Sequence, residues 1–410
     1  MAHFAFIAPP LRGHYKPLSH LAAELIARGH KATFIHHRDA AGLVEAEGAA
    51  FEAIGGGDAP PVSGWTRPMT KIRGVIGLGD MMSGMIRFTD AFCAEAPAVL
   101  RRIGADALIV DQLEAGGGLV AEHLGLPYAS VADTLPINRE LGVPPPYVGW
   151  RYDPTARGEK RNLGGWRVSD WLMRRLGQAI EANARRLGLA PRRRLEDCLS
   201  PRLQIAQLVP SLDFPRRELP PNFHYTGPFR RGAPAAFDLP PGDSRPLVFC
   251  TLGTLQGSRV EIFRKVASAC ARLDLRLLIT QGGMGELRRA GSLPGDPLVY
   301  DWVPQEAVLA QADLVVCHGG INTVLEPIAA GLPMVVMPLA FEQPAIAARL
   351  GHAGVARVLS RRCSTGTLAG AVAEIKDNPG FRDRARAIAG EMKAAGGVAR
   401  AADLIEAKLI

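Results

Sequence analysis

Short, almost wholly apolar runs alternate with amphipathic segments from one end of this chain to the other, and that alternation leaves few folds open. The stretch from His3 to Pro10 (H-F-A-F-I-A-P-P) reads as a buried strand. From Pro17 to Arg28, Leu18, Leu21, Leu25 and Ile26 take the spacing of an amphipathic helix, which Gly29 stops. K-A-T-F-I-H from Lys31 to His36 is a second strand, so the chain opens β-α-β. A strand from Ala105 to Asp111, a glycine-rich turn, a helix through Leu124 and a strand from Leu126 to Ala132 continue the series. Strands that alternate with helices form parallel sheets with helices on both faces, so the expected class is α/β, doubly wound.

A chain of 410 residues exceeds what one core sustains, and its composition divides it. From Gly232 to Pro246 the sequence turns to Pro, Gly and Ala, and the apolar strand from Leu247 to Thr251 then restarts the alternation. Further strands are expected from Arg276 to Thr280, Val299 to Trp302, Leu314 to Cys317 and Met334 to Met337. The expected domains are therefore 1–231 and 247–410, joined by a linker over 232–246.

Several function classes fall away. No basic n-region precedes the first apolar run, and prolines interrupt the longest one, so neither a signal peptide nor a membrane span is expected. Six cysteines without C-x-x-C pairs suit reduced thiols in the cytoplasm rather than disulfides or zinc. The net charge of +8 comes mostly from Arg151 to Pro201, where twelve Arg/Lys face six Asp/Glu. That stretch is either a solvated helical face or a peripheral contact with anionic lipid. Without interleaved aromatics it does not suggest nucleic acid.

The residues that carry chemistry cluster after strands. His14 lies in the loop expected after the first strand, beside Gly13, and can act as a general base. Asp111 ends a buried strand in the same half and can orient the imidazole, although Asp106 or Asp133 would also serve. In the second half D-W-V-P-Q (Asp301 to Gln305) precedes a strand and then H-G-G-I-N-T-V-L-E (His318 to Glu326). A strand that ends in His-Gly-Gly and opens a helix directs backbone N–H groups and the positive helix end at an anion. Gly319 and Gly320 allow a diphosphate to approach, His318, Asn322 and Thr323 add donors, Glu326 can hold a ribose, and Trp302 offers a face for a base. T-L-G-T-L-Q-G can bring Thr254 to the phosphates, and Glu342 and Gln343 suit hexose hydroxyls. Between Pro60 and Phe88, Trp65, Met69, Met81, Met82 and Met85 form an adaptable apolar set that could hold an acceptor, although core filling is the commoner use of methionine. There is no P-loop, no G-x-S-x-G elbow and no D-x-D pair, and His36-His37 on one strand point to opposite faces and suggest no metal.

The segment from Trp302 to Gln343 (W-x-P-Q, H-G-G-x-N-T, Glu326, E-Q) resembles the donor signature of family 1 UDP-glycosyltransferases. Nearly the whole chain resembles their carotenoid-glucosylating branch, the bacterial zeaxanthin glucosyltransferases, through I-V-D-Q-L-E-A-G-G, P-I-N-R-E, D-W-L-M-R-R, Q-L-V-P-S-L-D-F-P-R and P-L-A-F-E-Q-P. The resemblance implies a GT-B fold: two Rossmann-like domains facing each other across a cleft, with the last helix packing back on the first domain. It implies UDP-glucose as donor, an apolar carotenoid as acceptor, inversion at the anomeric carbon, and no metal or other cofactor. It makes His14 the base and Asp111 its partner. Trp302 falls at the base and Val303 within the donor site, Gln305 and Glu326 at the ribose, Thr254, His318, Gly320, Asn322 and Thr323 at the diphosphate, and Glu342 and Gln343 at the glucose. Glu342 stands where an aspartate is common. Transfer to another lipophilic aglycone such as a macrolide or sterol, a sugar-nucleotide epimerase on the same fold, and a non-catalytic nucleotide binder are the competing readings.

Overall fold

The computed structural model describes residues 1–55, 75–232, 236–240, 244–283, 287 and 291–410, with the side chains of 75–78 and 255 outside the description. Seven parallel strands form the first sheet: β1 (His3–Ile7), β2 (Lys31–His36), β3 (Ala50–Ala53), β4 (Ala107–Asp111), β5 (Tyr128–Ala132), β6 (Leu203–Ala206) and β7 (Phe223–Tyr225), in the order β3-β2-β1-β4-β5-β6-β7. Six parallel strands form the second: β8 (Leu247–Thr251), β9 (Arg276–Thr280), β10 (Leu298–Tyr300), β11 (Leu314–Cys317), β12 (Met334–Val336) and β13 (Ala356–Val358), in the order β10-β9-β8-β11-β12-β13. The winding reverses beside the first strand of each sheet, because β1 lies between β2 and β4, and β8 between β9 and β11. Crevices open at such switch points, beyond the carboxyl ends of the strands.

Parallel sheets bury both faces, and the strands are apolar on both for that reason. Phe4 and Phe6 enter one core while Ala5 and Ile7 enter the core on the opposite face. In β8, Leu247 and Phe249 are divided from Val248 and Cys250 in the same way. The C-terminal helix Gly397–Leu409 leaves the second domain and packs on the first: Val398, Ala401, Leu404 and Ile405 share a core with Phe4, Phe6 and Leu18. Arg28 clamps it from the far side, with Asp403 and Glu406 each at 2.7 Å.

Two expectations need correction. The first helix runs Arg12–Ala27, so His14 sits in its opening turn rather than in a loop, and Pro17 lies inside it. The methionine-rich region enters a 29-residue helix, Val75–Ile103, from its start onward. Met82 there is a core residue packed with Phe88 and Phe92, and Met85 lies against the same core, because helical spacing turns 82, 85, 88 and 92 inward. Met81 is half-buried, while Trp65 and Met69 lie outside the described residues. The short strands β3, β6, β7 and β13, three or four residues each, lack runs long enough to read from pattern.

Candidate active site

Three neighbouring strands of the first sheet deliver titratable groups to the cleft. His14 follows β1, Asp111 is the last residue of β4, and Asp133 comes one residue after β5. His14 Nδ1 and Asp111 Oδ2 are 2.7 Å apart, both buried, and Asp111 Oδ1 accepts the Leu113 N–H at 2.8 Å. Both carboxylate oxygens are thus engaged, and with Nδ1 donating to Asp111 the imidazole keeps Nε2 as its acceptor. Burial pulls the imidazole pKa down, but the Asp111 carboxylate and, across the cleft, Glu342 outweigh it, so the net shift is upward from 6.5. Asp106 is at the wrong end of β4, where it accepts the His3 N–H at 2.8 Å. Asp133 stands behind Asp111, and burial together with the Asp111 charge pushes its pKa well above the carboxylate range, while both of its carboxyl oxygens are buried without a hydrogen-bond partner. His14, Asp111 and Asp133 offer ligand atoms within 4.8 Å of one another, a spacing a metal ion would accept, but Nδ1 of His14 is committed to Asp111.

The facing wall comes from the second sheet. β11 ends at Cys317, Gly319 turns with φ 85°, Gly320 caps the helix Ile321–Ala329, and no side chain caps its free N–H groups. The His318 ring sits between two glycines: a Cβ on Gly320 would lie 2.6 Å from its Nε2, and one on Gly253 2.8 Å from its Cε1. Burial lowers its pKa to about 4 despite a bond to the Thr251 backbone, so the ring is neutral. Thr254 is exposed in the short helix Gly253–Gln256 that follows β8. Trp302 follows β10 and is 62% exposed, a large aromatic face left bare. The side chain of Val303 is in the core with Val308 and Leu325, which leaves its main chain for a ligand.

Two buried oxygens on this wall, Gln305 Oε1 and Glu326 Oε2, have no hydrogen-bond partner. Burial raises the Glu326 pKa, partly offset by Arg230 and Lys16, whose Nζ is 4.0 Å from Oε1. Phe341 adopts φ 55°, a strained value for a bulky residue, and turns the chain into the helix Gln343–Ala353. Gln343 Oε1 spends itself on that turn, accepting the N–H groups of Leu339 and Ala340 at 2.9 Å each, which leaves its amide NH₂ for a ligand. Glu342 is half-buried and its pKa is raised by desolvation, with His14 opposing the shift.

Asn322 is the link across the cleft. Its Nδ2 donates to the Gly13 carbonyl at 2.7 Å, and Gln207 Nε2, which also donates to the Asp133 carbonyl at 2.7 Å, reaches its Oδ1 at 3.4 Å. The Gly13 carbonyl is open because Pro17, four residues on, has no N–H to give it. Thr323, beside Asn322, is half-buried at the same helix end. Sequence reading missed a second link: Arg349, on the helix that Gln343 opens, is fully buried with its Nε 2.6 Å from Asp213 Oδ1 and its guanidinium 4.4 Å over Phe214. Asp213 lies in the quoted Q-L-V-P-S-L-D-F-P-R run, but nothing local names its partner 136 residues away.

Two doubly wound domains face each other across a cleft, with a histidine–carboxylate pair on one wall and a helix-end anion site on the other, which is the GT-B architecture. The solved glycosyltransferase of kitacinnamycin superposes with a TM-score of 0.79 at 24% identity, covering 100% of this chain and 99% of its own. Residues 171–389 match the family described as "UDP-glucoronosyl and UDP-glucosyl transferase". The zeaxanthin glucosyltransferase of Pantoea ananas is 39% identical over 99% of this chain and 96% of its own length. That of Pseudescherichia vulneris is 41% identical over 99% and 98%. The chain belongs to this glycosyltransferase family.

Proposed function

We propose that the chain transfers glucose from UDP-glucose to the 3-hydroxyl groups of zeaxanthin, giving the mono- and diglucoside with inversion. The observation that carries the chemistry is the buried His14–Asp111 pair aimed across the cleft at the wall bearing Glu342 and the Ile321–Ala329 helix end. His14 Nε2 takes the acceptor hydroxyl proton as that oxygen attacks the anomeric carbon, Asp111 stabilises the imidazolium, and UDP departs towards the helix N-terminus. A single displacement inverts the centre.

On the donor side Trp302 stacks on uracil, the unpartnered oxygens of Gln305 and Glu326 accept the ribose hydroxyls, and Glu342 with the Gln343 amide holds glucose. Thr254, His318, Gly320 and Thr323 line the diphosphate. Positive helix-end dipoles supply the charge complement that a metal ion would supply elsewhere, so the reaction needs no metal. No helix among the described residues is long and apolar enough to cross a membrane, and the reading places the chain in the cytoplasm, in peripheral contact with the inner membrane face where so apolar an acceptor resides. Carotenoid as acceptor rests on the two relatives named above.

Incubation of the protein with UDP-glucose and zeaxanthin in detergent, with and without chelator, tests the reading by mass spectrometry. Mono- and diglucosides that persist in chelator and vanish in His14→Ala are expected. UDP-glucose binding without any glucoside would overturn the acceptor, and loss of product in chelator the metal-free mechanism.

A further inference from the structure

The helix Ala156–Leu172 is amphipathic in an unusual sense. Its inward stripe is small or polar, with Gly158, Asn162 and Ser169 buried beside Trp166. Its outward stripe carries Leu163, Val168, Trp171 and Leu172, all exposed, with Val168 at 58% and Trp171 at 62%. Interleaved on that outward stripe and just beyond it are Lys160, Arg167, Arg174 and Arg175, none of which forms an ion pair among the described residues. Arg174 lies over the Trp171 ring at 5.0 Å. Of the two acids on the helix, Asp170 is turned onto Arg139 and Glu159 sits in the first turn, away from the tryptophan. Four large apolar side chains in water, ringed by unpaired cations, are not what a merely solvated helix presents.

We propose that this face is a docking surface for an anionic lipid bilayer, with Trp171, Val168 and Leu172 entering the interface and Lys160, Arg167, Arg174 and Arg175 meeting the headgroups. The charge chooses the occupant: unpaired cations around an apolar centre complement anionic lipid, whereas a second copy of the same face would set like charges against each other. Trp at such a boundary buries its ring while its N–H stays wet. Behind the same helix lies a cavity of about 730 Å³ lined by apolar groups such as Trp166, Met173 and Leu176 together with charged ones such as Arg139, Glu181 and Arg193. Tyr147, 41% exposed, stands at its border with solvent. In combination with the acceptor proposed above, docking of this kind brings the protein to the bilayer that holds so apolar a substrate.

Co-sedimentation with phosphatidylcholine vesicles, with and without phosphatidylglycerol, tests the docking without any transfer reaction. Binding is expected only with the anionic lipid and should weaken with salt. The double variant Val168→Asp/Trp171→Asp should bind at least tenfold more weakly. The pair Arg167→Gln/Arg175→Gln should lose on the order of 25-fold, about fivefold per cation, with a flatter salt dependence. Thermal unfolding and turnover of detergent-solubilised acceptor check that the variants are folded, and both should match the parent. Equal binding to neutral and anionic vesicles, or unchanged binding in the Asp pair, overturns the proposal. So does a parent that is a dimer in solution and becomes a monomer in the Asp pair, since the face would then cover a second copy. Docking that succeeds while vesicle-embedded carotenoid goes unglucosylated would leave the surface standing and remove the acceptor reading.

Discussion

The two walls of the cleft are built on opposite principles. On the first domain both oxygens of the Asp111 carboxylate are engaged and His14 is tied to it, so the reacting pair is formed, with Asp133 behind. On the second domain Gln305 Oε1 and Glu326 Oε2 are buried without partners and Trp302 stands bare. An unpaired buried acceptor costs about 1–3 kcal/mol, so a fold keeps two of them together where a ligand satisfies them. The contrast separates the tasks. On the first wall the His14–Asp111 pair that handles the proton is formed before any ligand arrives, and on the second the groups that hold the donor keep their hydrogen bonds withheld.

Substitutions on each wall should therefore fail in different ways. The largest effect is expected from His14→Ala, with kcat down by roughly 10²–10⁴ and UDP affinity by calorimetry nearly unchanged; an equal loss of UDP binding would put His14 on the donor wall instead. Next comes the link between walls. Arg349→Leu leaves Asp213 charged and buried, and should cost about 3–5 kcal/mol in denaturant unfolding, whereas Arg349→Leu/Asp213→Leu should recover much of it. Glu326→Gln should raise the donor KM by on the order of 10-fold with kcat little changed, because the charge-assisted acceptor serves binding rather than chemistry. A fall in kcat alone would blur the division.

The pH profile sharpens the first wall. His14 must be neutral to act as base, and its pKa is raised by Asp111, so the acidic limb of kcat/KM should lie above the ordinary histidine value of 6.5. Asp111→Asn removes the charge that stabilises the imidazolium, so the limb should move to lower pH while the plateau falls. A limb that stays in place would mean that Asp111 does not set it. The smallest effect is expected of Pro17→Ala. The new N–H offers the Gly13 carbonyl a helical partner in competition with Asn322, and should change stability by under about 1 kcal/mol while raising the donor KM slightly.

Legibility followed the length of the signal. Strands such as Lys31–His36, Leu247–Thr251 and Leu314–Cys317 are read at their true bounds because runs of four to six residues rich in apolar and β-forming side chains between turn formers admit little else. The first helix was placed five residues late, since Pro17 reads as a helix start and yet lies inside. The methionines left an acceptor set and core filling open, and a 29-residue helix takes Met82 into the core. Val303 sits within the donor motif, yet its neighbours draw its side chain inward.

The sequence by itself determined the α/β class, because strands that alternate with helices form parallel sheets covered by those helices. It also determined the local chemistry of the helix end, where His318, Gly319 and Gly320 are consecutive. Pairings between distant residues were decided by the tertiary structure alone. Asp106, Asp111 and Asp133 are equivalent carboxylates until β4 and β5 lie side by side, when Asp111 reaches His14, Asp133 stands behind it and Asp106 is left at the far end of the sheet. Asn322 turns from the anion site towards Gly13 for the same reason: its position in a motif specifies its backbone, but which acceptor lies within 2.7 Å of its amide is settled only by how the two domains meet.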